Sequence, residues 1–175
     1  MVLDLIVKSR IIYGVDRIQM PDDFYAQTPE GNALATETVM NVVRTGDLLF
    51  NRIGRLLRPL GVSSAGGLVL GLLRDHGPMP PSVLGDRLIV TRATVTGLVD
   101  SLDRRGLVRR TAHPSDRRST IVEITPAGLD VLEKVRETIH RKERDWCSEL
   151  SDADLRSLIR LLHRVQGRLE EDPKA

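Results

Sequence analysis

Between Thr91 and Gly128 the spacing of apolar residues changes twice, and this double change constrains the fold more than any other feature of the 175 residues. Val95, Leu98, Val99 and Leu102 stand at i, i+3, i+4 and i+7, the spacing of an amphipathic helix. Thr91 is placed to cap that helix, Val90 and Val95 to staple its start, and Gly106 to stop it. The pattern then becomes strand-like. Leu107–Thr111 and Ser119–Ile124 read as two short strands around the charged, turn-rich stretch His113-Pro114-Ser115-Asp116-Arg117-Arg118. Thr125-Pro126 restarts a helix, with Thr as N-cap, Pro at the first position and an Ile124–Leu129 staple. A helix, a hairpin with a basic tip and a second helix in so short a stretch describe a small mixed lobe.

Helical spacing also governs the flanks. Apolar residues recur every three or four positions from Thr36, through Val39, Val42, Val43, Leu49, Phe50 and Ile53, until Pro59. A second helix is capped by Ser63 or Ser64 and ended by Gly77-Pro78. A short third, capped by Ser82, carries Val83, Leu84 and Leu88. The helix after Pro126 is long, polar and narrowly apolar, through Leu132, Val135, Ile139, Trp146 and Leu150. Ser151 and Asp154 form a capping box for a last helix through Leu155, Leu158, Leu162, Val165 and Leu169, with Leu150 and Leu155 as its staple. The expected fold class is mainly α with a small β-hairpin wing (α+β): a winged helix-turn-helix with flanking N- and C-terminal helices. The expected divisions are an irregular extension (1–35), a first helix (36–60), the winged lobe (61–125), the C-terminal helices (126–170) and a tail (171–175). Within the extension, Val2–Val15 reads as a short helix or strand and Met20–Leu34 as a linker, and Met20 is an alternative start.

Several function classes drop out. A single cysteine, Cys147, excludes an intrachain disulfide framework and a cysteine-based zinc cluster. No apolar run approaches the ~18 residues of a membrane span, and Asp4 ahead of a short apolar stretch does not read as a signal peptide, so a soluble cytoplasmic protein is expected. Five scattered aromatics cannot form a base-stacking platform for single strands. No Ser/His/Asp order suggests a triad, so no enzyme is expected. His76, His113, His140 and His163 are far apart and lack paired spacing, so no metal site and no cofactor are expected.

The charge is unevenly placed. The whole chain carries only +2. Residues 86–118 hold eight arginines against four aspartates, a net +4, and the other 142 residues carry 18 basic against 20 acidic groups. On the helix from Thr91, the face opposite Val95, Leu98 and Leu102 presents Ala93, Gly97, Asp100 and Arg104, flanked by Thr96. Ala93 and Gly97 permit close approach to a groove, while Thr91, Arg92, Thr94 and Thr96 supply polar groups at the N-terminal end. Arg117 and Arg118 on the hairpin suit a narrow minor groove. An ordinary solvated face explains either element alone; the two together favour double-stranded DNA.

The stretch Thr91-Arg92-Ala93-Thr94-Val95-Thr96-Gly97-Leu98-Val99-Asp100-Ser101-Leu102, then Arg104-Arg105-Gly106-Leu107-Val108, resembles the multiple antibiotic resistance regulator (MarR) family of transcription factors. So does Asp116-Arg117-Arg118 followed by Val122-Glu123-Ile124-Thr125-Pro126-Ala127-Gly128. The resemblance covers about residues 36–170. It implies a homodimer with intertwined terminal helices, placing two winged lobes on a palindromic operator. It implies that Arg118 enters the minor groove and that Asp116 orients wing or recognition-helix arginines. It further implies a repressor released by a small aromatic or anionic effector held between the dimer helices and the lobe, for which Arg44, Asn51, Arg52, Arg55, Arg74 and His76 are candidates. Cys147 is far from the N-terminal position of the family's peroxide-sensing cysteine and is expected to be a packed or interface thiol. The competing reading is a winged-helix protein-interaction or dimerisation module without sequence-specific DNA binding.

Overall fold

The computed structural model describes residues 31–113 and 116–172, without the side chains of 113–119. The readings of residues 1–30, of the turn at 114–115 and of the wing side chains therefore lie outside the described residues. The chain divides into two compact units, Met1–Arg58 and Pro59–Ala175.

The first unit contains α1 (Ala33–Leu57). Its start lies three residues before the expected Thr36, because the Asn32 side chain accepts the Ala35 N–H at 3.0 Å and caps a turn that precedes the apolar pattern. Val39, Val43, Leu48 and Phe50 are all at least half exposed.

After a 3-10 turn (Arg58–Leu60), whose first residue closes the first unit, the second unit continues through α2 (Ser64–His76), α3 (Pro81–Leu88) and α4 (Arg92–Asp103). The hairpin β1 (Val108–His113) and β2 (Asp116–Ile124) follows, then α5 (Pro126–Trp146) and α6 (Asp152–Glu170). Ser63 rather than Ser64 caps α2, accepting the Gly66 N–H at 3.0 Å. Ser82 does not cap α3. Pro81 fits the first helical position, where no N–H is needed, so Pro80 becomes the N-cap and contributes no side-chain bond.

The core is the lobe's interior. Val69, Leu70, Leu84, Val95, Val99 and Val122 have no accessible surface. Each such side chain contributes about 1.5–3 kcal/mol relative to exposure. Leu98, expected on the buried stripe, is only partly buried, and Val99 takes the deeper position.

The strands are longer than their apolar alternation suggested. Pairing runs from Val108↔Ile124 to Ala112↔Thr120, shifts register at His113, and closes with His113↔Asp116. Asp116, Arg117 and Arg118 thus belong to the backbone of β2 rather than to the turn. Polar residues on a solvated hairpin pair without leaving any apolar period to read. A third edge was not foreseen: Met79 N–H donates to Val122 O at 3.1 Å and Val122 N–H to Met79 O at 2.9 Å.

Gly106 (φ 69°) turns the chain from α4 into β1, as expected of a helix stop. Thr125 caps α5, accepting the Gly128 N–H at 3.1 Å while its hydroxyl donates to Gly106 O at 2.6 Å. Helix α5 ends at Trp146, so Leu150 lies in the following turn, where its N–H bonds Cys147 O at 3.0 Å. The Ser151–Asp154 capping box forms, and no residue of α6 is buried.

Candidate nucleic-acid interface

Helix α4 is held by one face and leaves the other open. Val95, Val99 and Leu102 are buried, while Thr91, Arg92, Ala93, Thr94, Thr96, Gly97 and Arg104 are all exposed. Their polar groups are partly engaged. Thr91 accepts the Thr94 N–H at 3.2 Å, and the two hydroxyls lie 2.9 Å apart. Thr96 donates its hydroxyl to Arg92 O at 3.0 Å, so it offers a groove its lone pairs and methyl group rather than a free donor. Arg92 has no ion-pair partner among the described residues. Gly97, Asp100, Asp103 and Arg104 line an open groove of about 360 Å³.

Two arginines that look alike in sequence part company at the end of α4. Arg104 Nε bonds Asp100 O at 3.3 Å and stays on the open face. Arg105 turns back, its Nη2 donating to Leu60 O at 3.2 Å, with the guanidinium over Gly61, where any Cβ would collide with it.

The wing strands sort their arginines by pleat. Arg110 shares a face with Val108 and Val122 and so points toward α4, where its Nη2 donates to Asp100 Oδ1 at 2.6 Å. Arg109, on the other face, pairs with its cross-strand neighbour Glu123, whose hydrogen bond and then whose charge raise the Arg109 pKa further. Neither pair was anticipated. The cross-strand register that makes Arg109 and Glu123 neighbours was available from the strand alternation, whereas the Asp100–Arg110 contact needs the angle between helix and hairpin.

The Thr125-Pro126-Ala127-Gly128 motif proves to be structural. A Cβ at Gly128 would overlap the Leu107 carbonyl oxygen, and Thr125 N–H bonds that same oxygen at 3.1 Å. The motif seats α5 against the start of β1 and so fixes the base of the wing.

The effector candidates divide between the two units, four on α1 of the first and two on α2 of the second. Arg44 is half-buried and Asn51, Arg52 and Arg55 are exposed on α1. Arg74 ends α2 in an ion pair with Asp75 at 2.6 Å, with Glu133 of α5 at 3.6 Å, and His76 beside it is exposed. Among the described residues no three His, Cys, Asp or Glu side chains form a metal-binding group, and no single helix is long and apolar enough to cross a membrane. Cys147 is half-buried and unbridged.

Three helices, with the third presenting its outer face, followed by a hairpin docked on that helix, define a winged helix-turn-helix protein. The MarR family model matches residues 62–120. A putative transcriptional regulatory protein for the hcr operon of Thauera aromatica is 30% identical over 60% of this chain and 63% of its own. The HTH-type transcriptional regulator MhqR of Bacillus subtilis is 31% identical over 55% of this chain and 67% of its own. The crystal structure of the transcriptional regulator BldR from Sulfolobus solfataricus superposes with a TM-score of 0.66 at 26% identity, covering 85% of this chain and 99% of that one. The chain belongs to the MarR family. The match nevertheless spans less than two thirds of the Thauera relative.

Proposed function

We propose that this protein is a DNA-binding transcriptional regulator, a homodimeric, ligand-responsive repressor of a palindromic operator. The observation that carries the reading is the open face of α4 beside a wing ion-paired to it through Asp100 and Arg110. Thr91, Arg92, Ala93, Thr94, Thr96, Gly97 and Arg104 enter the major groove. Ala93 and Gly97 let the helix backbone approach, and the arginines meet guanine edges or phosphates. Arg117 and Arg118 enter the minor groove from the wing, and Asp116 orients the arginines around it.

The dimer reading is supported by apolar surface that is exposed among the described residues. Leu158, Ile159, Leu161 and Leu169 on α6 are each about half exposed or more, as are Val39, Val43 and Phe50 on α1. Such faces are covered by a second copy in a two-fold arrangement, which sets two recognition helices about 34–36 Å apart. The effector is an aromatic or anionic small molecule, with Arg44, Asn51, Arg52, Arg55, Arg74 and His76 as its candidate contacts. The protein binds rather than catalyses, and it works in the cytoplasm, where the chromosome is.

Selection of bound duplexes from a random pool by the full chain tests the proposal. The expected result is an inverted repeat with half-site centres about 10 base pairs apart. Recovery of no enriched sequence, with no retention of mixed duplex even at low salt, overturns it in favour of a protein-interaction module.

A further inference from the structure

Ile89 combines two unfavourable features at one position. It closes α3 with φ 54° and ψ 47°, in the left-handed region, and it is the one non-glycine residue with positive φ among the described residues. A β-branched side chain is poorly suited to that conformation, which glycine or asparagine adopts readily. Its side chain is also 93% exposed, although Val90 beside it packs on the core. Neither the backbone nor the hydrophobic core therefore explains an isoleucine here.

Its location supplies a reason. Ile89 lies two residues before Thr91, the N-cap of α4, hence within about 7 Å of it along the chain. Thr91, Arg92, Ala93 and Thr94, all exposed, form the end of α4 that leads into the groove in the proposed complex. Backbone strain that persists in this way gathers at functional sites. The thymine C5-methyl is the apolar group that base edges present in the major groove.

We propose that Ile89 is a specificity-determining residue that packs on a thymine methyl at the edge of each half-site. The left-handed turn holds its side chain out from the lobe, so that water is expelled from two apolar surfaces on binding. The proposal rests on the DNA-binding reading above.

The test uses the full chain, its selected duplex, and the same duplex with deoxyuridine in place of thymidine at one position at a time. Wild type is expected to lose about fourfold in affinity at one symmetry-related position, the equivalent of one buried methylene. Ile89→Gly and Ile89→Asn are expected to melt at or above the wild-type temperature, to bind the thymidine duplex several-fold more weakly, and to show no deoxyuridine penalty there. Asparagine keeps the turn conformation, so its loss of affinity isolates the apolar contact from the backbone. Variants that bind like wild type, or that keep the same deoxyuridine penalty, overturn the contact while leaving the DNA-binding reading intact. A wild type that selects no duplex overturns both.

Discussion

The guanidinium of Arg110 on β1 donates to the carboxylate of Asp100 on α4 at 2.6 Å, tying the wing strand to the outer-face helix. Both side chains are partly exposed, at 35% and 47%, so the pair contributes little to folding, about 0.2–1 kcal/mol. Its consequence is orientation. A carboxylate on a face meant for phosphates is repulsive unless a cation holds it, and here the cation comes from the element whose angle matters.

Asp100→Asn therefore separates two effects. If only long-range charge mattered, removing an acid would tighten DNA binding. With the wing released, operator affinity is expected to fall about threefold to tenfold, equivalent to about 0.7–1.4 kcal/mol, while the melting temperature barely moves. Fluorescence anisotropy on Asp100→Asn, Arg110→Ala and the double variant gives the coupling. Strictly additive losses contradict the clamp.

Gly128→Ala is expected to lower stability by about 1–3 kcal/mol through overpacking against the Leu107 carbonyl. Backbone meets the new methyl group, so relief requires α5 to move from β1. Thermal denaturation checks this; an unchanged melting temperature would mean that Leu107 and Gly128 are not in contact.

The capping box of α6 predicts an acid dependence. The Ser151 hydroxyl first, and its backbone N–H second, hold the Asp154 carboxyl below the usual carboxylate range. The unfolded chain therefore binds the proton more readily than the folded one, so the stabilisation is present above about pH 4 and disappears as the pH falls below it. The melting-temperature difference between wild type and Asp154→Ala should shrink toward acid. A difference constant from pH 7 to pH 2.5 would show that the charge is irrelevant to the cap.

Much of this architecture is legible in the residues. Local signals that act within four positions, such as the Thr91, Thr125 and Ser151 caps and the Gly106 stop, lie where spacing puts them. The misses have two causes, one local and one long-range. Pro80-Pro81 displaces the Ser82 cap because a missing N–H overrides a hydroxyl, and the Met79–Val122 bridge joins segments 43 residues apart. The arginines were legible as a charge but not as individuals. Arg104 stays outward, Arg105 bonds Leu60, Arg109 pairs with Glu123 and Arg110 with Asp100. Cross-strand register sorts Arg109, whereas Arg110 and Arg105 are sorted by packing between elements that sequence spacing does not carry.

Burying the exposed leucines of α6 in a second copy predicts that Leu158→Asp with Leu161→Asp yields monomers by sedimentation at micromolar concentration. Half-site affinity should survive while cooperative operator binding is lost. A dimer that withstands both charges would move the interface elsewhere.

In the proposed complex the arginines of α4 and the wing meet DNA phosphates and grooves. Anisotropy of a labelled operator duplex, titrated across 50–200 mM salt with wild type and Arg118→Ala, tests it most directly. Affinity is expected to fall at least about tenfold over that range, and Arg118→Ala to bind more weakly with a log–log slope shallower by about one per site. A wild-type affinity indifferent to salt, or an Arg118→Ala curve that overlays it, would mean that these arginines do not meet the phosphates.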